Sequence, residues 1–559
     1  MKKTLLIILL AMTVLPPAVA AQGNPFQAFL RRYKPPAPVD VFKVPAQPAV
    51  FSGTLPLTVR DVITLMLENS LDVHVDRLSP LMSRYAAASA FGRFEPSLHV
   101  NAGMSHDTSG ASSQLDGAES LSWLGLDFSA GYSQTLRTGT SLGVDYRINR
   151  VSSNSVFNTF NPSYFSSLTY SVRQSLLGGV GREASMHPIR VAKIDQKSSD
   201  VEFEMRLIDI ITMAELRYWD LVLGQLDMKV QQRSLELAEK TLSDNQHQVQ
   251  AGTLAPIEVV QAEAQVASRQ EQIYVASYGH DQMQDQMKRL ITRSADPALA
   301  LTRIDPIEAI HQPDSSDVLP IEQAIRYAIE SRPELRLMEL ELQKRDLDLQ
   351  TGRNHLLPVV DVFASYTQSG IGGTETIRSG LGDDQILAVR SGGFLNALGQ
   401  MFGYNFTGYA AGINLTIPLS NKAARADYAQ AQTQRDIAET RRATLLQEIA
   451  IEVRNANSMI EMNRARIQAA SKALEAATRQ LAAEEKKNQI GTSSIRFVFD
   501  EQRNLANAET NQIQARIDYT KALVQYDKAI GRTLKSNGIE IDHELHTAES
   551  PVSRRAAGN

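Results

Sequence analysis

The sequence predicts a mainly α-helical chain carrying membrane-type β-segments, with one architecture written twice. Three observations predict it. Apolar residues recur every seven positions over very long stretches, two Gly- and Ser-rich inserts alternate with period two, and an internal repeat sets the same elements in the same order in both halves.

Composition narrows the function classes. The 559 residues contain no cysteine, which removes disulfides, thiolate metal sites, cysteine nucleophiles and a lipid-modified cysteine anchor. Lys+Arg 57 against Asp+Glu 62 leaves −5, too balanced for a nucleic-acid binder.

Lys2 and Lys3 precede an apolar run from Leu5 to Leu15 and then Ala18-Val19-Ala20. That order of charged, apolar and small residues predicts a secretory signal over residues 1–20, cut after Ala20. A membrane anchor is the competing reading, but the run is too short, because a spanning helix needs about 20 apolar residues. Loss of the two lysines takes the charge to −7. No later apolar stretch is long enough for a transmembrane helix, so any part of the exported chain inside a bilayer must be β-structure. Residues 21–56 follow, with Pro25, Pro35, Pro36, Pro38, Pro45, Pro48 and Pro56, and read as an extended segment.

The first repeat is assigned to residues 57–318 and the second to 319–534, with a tail over 535–559. Leu57-Thr58-Val59-Arg60-Asp61 opens a helical pattern, and Leu319-Pro320-Ile321-Glu322-Gln323 opens its counterpart 262 positions later. The register holds to Pro96 and Pro358. Beyond the prolines, Leu98, Val100, Ala102 and Met104 alternate with polar residues, as do Val360, Val362, Ala364 and Tyr366. This is strand patterning, with inserts over about 97–176 and 359–418. In the first insert the segments Trp123–Phe128, Leu142–Tyr146 and Leu168–Val172 also alternate, with a turn at Arg137–Thr140. In the second, Ile413, Leu415 and Ile417 follow a Gly-rich stretch, Ser369 to Gly408. Such segments fit a transmembrane barrel or the core of a soluble β-sandwich; export, repetition and flanking aromatics (Tyr164, Phe165, Tyr404, Phe406) favour the barrel. One chain has too few strands for a wide pore, so several chains must contribute.

A second register, offset by 239, governs the later helices. Ala214, Leu221, Met228, Leu235 and Leu242 recur in sevens, and Val453, Ile460, Ile467, Leu474 and Leu481 are their counterparts. A parallel series, Leu216, Leu223, Val230 and Leu237, implies partners on a second side. Long helices are predicted over Ile189–Gln250 and Ala423–Gln489, each about 90–100 Å at 1.5 Å per residue. Gly252-Thr253 and Gly491-Thr492 mark turns at 250–256 and 489–494, and returning helices are predicted over Ile257–Ile291 and Ile495–Ile530.

The sequence resembles the TolC family of outer-membrane efflux proteins. The likeness spans nearly all of Leu57 to Gly531. It rests on the duplicated opening helix, Gln174-Ser175-Leu176-Leu177-Gly178-Gly179, Ile417-Pro418-Leu419, Gly491-Thr492 followed by Asp500-Glu501-Gln502-Arg503-Asn504-Leu505, and Ala529-Ile530-Gly531. The resemblance implies a homotrimer in the outer membrane, each protomer giving four strands to one β-barrel and its coiled-coil hairpins to a periplasmic α-barrel. It implies a passive exit duct for efflux or type I secretion, without cofactor or metal, recruited by a periplasmic adaptor and an inner-membrane pump or ABC transporter. The hairpin from Trp123 to Ile148 exceeds that pattern and could either widen the barrel or fold over its mouth.

The gate is expected where the returning helices begin. Relatives place acids six and nine positions after the second glycine; here these positions are Phe497 and Asp500, so only one charge is kept. Asn488 and Ser493 stand where the best-known branch carries Tyr and Arg. A ring of three Asp500 carboxylates would repel and attract cations, and three Phe497 rings would gate by dewetting. Glu258, six after the first glycine, is a weaker candidate. The competing reading of Asp500 is a solvated helix-surface acid. Gly252, Thr253, Gly491 and Thr492 are expected to contact the adaptor, besides capping their helices.

No catalytic residue is expected. Gly139-Thr140-Ser141-Leu142-Gly143 has nucleophile-elbow spacing but lacks a following helix, and Gly179–Ala184 lacks the βαβ unit of a dinucleotide loop. The histidines show no His-Glu-x-x-His spacing. Tyr218 and Trp219 read as packing residues. The rival function is a periplasmic coiled-coil adaptor, which would show one helical hairpin in a lipoyl-like domain rather than two hairpins and two strand inserts. An exported hydrolase is a further rival, without a site to support it.

Overall fold

The computed structural model describes residue 33 and residues 53–112, 116–178, 182–292, 301–380 and 385–541. The signal segment, nearly all of the proline-rich stretch and the last eighteen residues lie outside the described residues. Residues 54–296 and 303–559 form one compact unit, described below; the other, residues 1–53 and 297–302, is almost wholly outside the described residues.

The unit opens with a short strand β1 (Thr54–Leu57), then α1 (Val59–Asn69) and α2 (Leu71–Ala90). Thr58 starts α1 with a reciprocal cap: its Oγ1 accepts from the Asp61 amide at 3.2 Å, while the Asp61 carboxylate accepts from the Thr58 amide at 3.0 Å. The Thr58 hydroxyl, donating to the Asp61 carboxylate at 2.7 Å, and then the Thr58 amide hold that carboxyl below the usual range. Ser70, with ψ 127°, breaks the opening helix in two. In the second half Arg332, also with ψ 127°, breaks α5 (Ile321–Ser331) from α6 (Pro333–His355). The two breaks lie 262 positions apart, the spacing of the repeated sequence pattern.

The strands of the first half are β2 (Ser97–Gly110), β3 (Ser120–Thr135), β4 (Thr140–Ser153) and β5 (Phe160–Leu177). The second half adds β7 (Val359–Arg378), a short β8 (Ile386–Arg390), a nine-residue helix α7 (Phe394–Phe402) and β9 (Phe406–Thr416). They form one antiparallel sheet in the order β2-β3-β4-β5-β7, with β9 on the first part of the open edge of β7 and β8 at its far end. Six strands therefore run side by side where the family resemblance implied four. The difference is the β3–β4 hairpin, paired with β2 on one side and β5 on the other over nearly its whole length. Helix α7, unforeseen in the Gly-rich stretch, packs on β5 and β7; the Ser166 hydroxyl donates to the Ala397 carbonyl at 3.0 Å, and Gly370 and Gly372 leave room for its backbone.

Pairing register puts alternation into one plane. Leu98, Tyr132, Val144, Tyr170, Tyr366 and Tyr409 form one cross-strand row, and the next row on the opposite face is His99, Gly131, Asp145, Thr169, Thr367 and Gly408. In these rows one face is apolar and the other polar; farther from the helices the division loosens, with Arg150 opposite Leu126 on the first face and Phe165 opposite Ile371 on the second. Gly131 has a structural role here: a side chain there would collide with His99 and Asp145, which approach to 3.4 Å across it.

The helical part is built from α3 (Arg182–Gln250), α4 (Ile257–Ile291), α8 (Lys422–Gln489) and α9 (Ile495–Ala529). Helices α3 and α8 have 69 and 68 residues, each about 100 Å long at 1.5 Å per residue. Helix α3 packs on α4, α9, α2 and α6, and α8 on α9 and α6. None of the fourteen seven-spaced residues is exposed, and Ala214, Leu221, Val230, Val453, Ile460, Ile467 and Leu481 are buried. Two apolar clusters centre on Tyr218 in α3 and on Tyr519 and Tyr526 in α9. The Tyr218 hydroxyl donates to the Leu57 carbonyl at 2.9 Å and accepts from the Glu308 amide at 3.0 Å, tying α3 to the strand pair of β1 and β6 (Arg303–Pro306). That parallel pair was not expected from sequence. Among the described residues no helix is long and apolar enough to cross a membrane.

Candidate functional site: the tips of the two helical hairpins

Each long helix ends on the same backbone device. Gly252 adopts φ +73° and Gly491 φ +75°, left-handed values that glycine takes without penalty. Thr253 N–H donates to the Gln248 carbonyl and Thr492 N–H to the Lys487 carbonyl, both at 2.9 Å. The two threonine hydroxyls donate to the same carbonyls, at 2.9 and 3.1 Å. An added Cβ at either glycine would meet open space, so conformation alone demands the residue. All four residues are exposed.

The side chains beneath differ. Seven positions before the first glycine, buried Asn245 donates from Nδ2 to the Glu258 carbonyl at 3.4 Å and so ties α3 to the first turn of α4. Glu258 is half-buried, and its Oε2 is enclosed without a hydrogen-bond partner. The equivalent of Asn245 in the second hairpin is Glu484. Its carboxylate accepts from the Ser493 hydroxyl and from Lys487 Nζ, the latter at 2.9 Å, and these bonds lower its pKa. Sequence reasoning passed over Glu484; the Glu-x-x-Lys spacing was visible, but Ser493 joins only once the turn has folded back. A small core of Ala262, Leu481, Ile495, Val498 and Phe499 lies under the tips, flanked by Leu237, Leu242 and Leu505.

Phe497 and Asp500 lie one turn apart on α9, away from that core. Phe497 is 58% exposed. The Asp500 carboxylate accepts from Arg503 at 2.7 Å, so it is ion-paired rather than the bare acid expected from the sequence. Arg269 of α4 is buried and donates to Gln272 at 2.9 Å; burial, with Arg503 close by, lowers its pKa. Glu258 is on the other returning helix, at the position equivalent to Phe497 rather than beside it. Among the described residues no group of three acids or histidines is arranged to hold a metal ion. Ser141 of the elbow-like motif lies in β4, just after a turn between two strands.

Comparison with known proteins supplies what geometry does not. Residues 324–532 match the family model described as outer membrane efflux protein. Over 425 residues the chain is 24% identical to the pyoverdine export outer membrane protein OpmQ of Pseudomonas aeruginosa, covering 75% of this chain and 79% of that protein. Its fold resembles the Campylobacter jejuni CmeC outer membrane channel, with a TM-score of 0.59, 15% identity and coverage of 87% and 90% of the two chains. The outer membrane protein VceC of Vibrio cholerae gives a TM-score of 0.59 at 13% identity, over 85% and 96% of the chains. These matches are to channels rather than to periplasmic adaptors or enzymes. Over residues 324–532 the chain carries the signature of the outer membrane efflux proteins, and with its likeness to OpmQ it is an outer-membrane efflux channel.

Proposed function

We propose that three copies of this chain form a passive exit duct, with the sheet in outer-membrane lipid and the helical hairpins reaching through the periplasm. One observation carries this reading: a single chain joins a two-faced antiparallel sheet to two long helical hairpins. Each of the six long strands has at least the 11 residues of β9, and a tilted transmembrane strand needs about 9–11. The apolar face then meets lipid and the polar face lines water. The turn between β3 and β4 lies at the helical end of the sheet and the longer connections lie at the other, the asymmetry of outer-membrane barrels.

A periplasmic adaptor is recruited at the exposed turns Gly252-Thr253 and Gly491-Thr492 and brings an inner-membrane pump. The likeness to a pyoverdine export protein favours small-molecule cargo over secreted proteins. Phe497 and the Asp500–Arg503 pair form the constriction, with Glu258 at its outer margin. Detergent extraction from isolated outer membranes, followed by velocity sedimentation, should give a trimer; a freely soluble monomer would refute the duct. In planar-bilayer recordings Phe497→Ala should raise conductance, and Asp500→Ala should change cation selectivity. A variant indistinguishable from the parent removes that residue from the gate.

A further inference from the structure

The sheet is unfinished at both sides. Strand β2 pairs only with β3 and β9 only with β7 among the described residues. Every residue of β2 is exposed, and so is every residue of β9 except Gly412. Inside a bilayer an unpaired N–H or C=O costs several kcal/mol, so neither edge can face lipid. Six strands cannot close on themselves around water, since the smallest single-chain outer-membrane barrels use about eight.

The two edges are complementary. Strand β2 leaves the helical end and β9 returns to it, so placing them side by side continues the antiparallel order without a fault. The apolar row from Leu98 to Tyr409 begins on one edge and ends on the other. The β3–β4 hairpin shares that row through Tyr132 and Val144 and shares the polar face through Asp127, whose carboxylate accepts from Asn149 Nδ2 at 2.5 Å. Its turn is fastened at the helical end, with Arg137 stacked 5.7 Å from the Phe91 ring and Gln134 Nε2 donating to the Phe94 carbonyl at 3.3 Å. A flap over the mouth would have neither the shared rows nor this anchorage.

We infer that β2 of one copy pairs with β9 of the next, so that three chains, each giving six strands, close a single barrel of eighteen. This rests on the trimeric reading above. Barrel diameter grows roughly in proportion to strand number, so the membrane bore is about half as wide again as one built from four strands per chain. The occupant of each open edge is a second copy of this chain, and the hairpin is part of the wall.

The cysteine-free sequence makes the test direct. In outer-membrane vesicles, Ala102→Cys in β2 combined in turn with Thr407→Cys, Tyr409→Cys, Ala411→Cys and Ile413→Cys, which share one face of β9, should give covalent dimers and trimers for at least one pair with a short lipophilic bismaleimide, and no single variant should. Ala102→Cys with Val172→Cys in β5 should give no crosslink. Phe128→Cys and Val144→Cys should react only with lipophilic maleimide, and Ser129→Cys and Asp145→Cys with water-soluble maleimide. A trimer on sedimentation in which none of these β2–β9 pairs crosslinks, or which takes water-soluble reagent at positions 128 and 144, overturns the eighteen-strand wall and leaves the duct standing. A monomer overturns both. Electron microscopy of the unsubstituted trimer counts the strands independently, and twelve would refute the inference.

Discussion

The two returning helices start from the same glycine turn yet are held very differently. Helix α9 buries Ile495, Val498, Phe499, Ile517, Tyr519 and Tyr526 and packs between α3 and α8. Helix α4 packs chiefly on α3 and leaves Tyr274 and Tyr278 75% and 66% exposed, with Val275 exposed beside them and Val260 exposed nearer the tip. Backbone conformation at the tip is thus shared, whereas the energy that fixes each helix is not. Most helical stability comes from the packed face, so α9 belongs to the rigid body of the protomer and α4 to its margin. Apolar residues left on a margin need a covering surface, and in the proposed trimer a neighbouring copy would supply one.

This contrast is broken most directly by aromatic truncation. Tyr526→Ala should cost about 3–5 kcal/mol, because it empties a fully buried site and orphans the Leu319 amide that donates to its hydroxyl. Tyr278→Ala should change unfolding of the isolated protomer by no more than about 0.5 kcal/mol. Denaturant melts followed by circular dichroism read both, and equal losses would abolish the distinction.

Glu215, on α3 near the far end of α9, probes the rigid body through pH. Burial, opposed by the Asn537 amide and reinforced by Asp527, pushes its carboxyl up to about 7 from an ordinary 4.5. The folded chain therefore binds this proton where the unfolded chain does not. Stability should rise as pH falls from 7 to 4.5 and be lost as it rises again, by roughly 3 kcal/mol at most. Glu215→Gln should flatten that window in melts taken at several pH values; an unchanged slope would remove Glu215 as its source.

Smaller effects sharpen the comparison at the tips. Gly252→Ala and Gly491→Ala should each cost about 1–2 kcal/mol through backbone strain alone, and should match within about 0.5 kcal/mol because both sites are open. Ser493→Ala should cost no more than about 1 kcal/mol and should speed amide exchange over residues 486–494 without touching 247–255. Spread of that change to the first turn would show the tips to be coupled.

Much of this architecture was legible in the residues. Strict seven-residue spacing from Ala214 to Leu242 and from Val453 to Leu481 can be satisfied only by long packed helices, and α3 and α8 end at Gln250 and Gln489, as the glycines require. Alternation marked the strands, because side-chain direction reverses at each residue. Strand order was not legible, since nothing local in Trp123–Ile148 says which edge it will join. Helix α7 was hidden because the stretch is rich in glycine, which argues against a helix, whereas Gly370 and Gly372 of β7 are what admit it against the sheet. The β1–β6 pair is too short to show a period. Phe497 and Asp500 were located by spacing, but the Arg503 partner and the Glu484–Ser493 contact depend on which helical face turns where.

The β3–β4 hairpin has a consequence for how such a conduit can diversify. It departs from the distal end of β2 and rejoins at the distal end of β5, so the strands that meet the helices keep their places and directions. In a barrel closed as inferred above, caliber can therefore be retrofitted two staves at a time, in a surface loop, while the helical hairpins stay as they were.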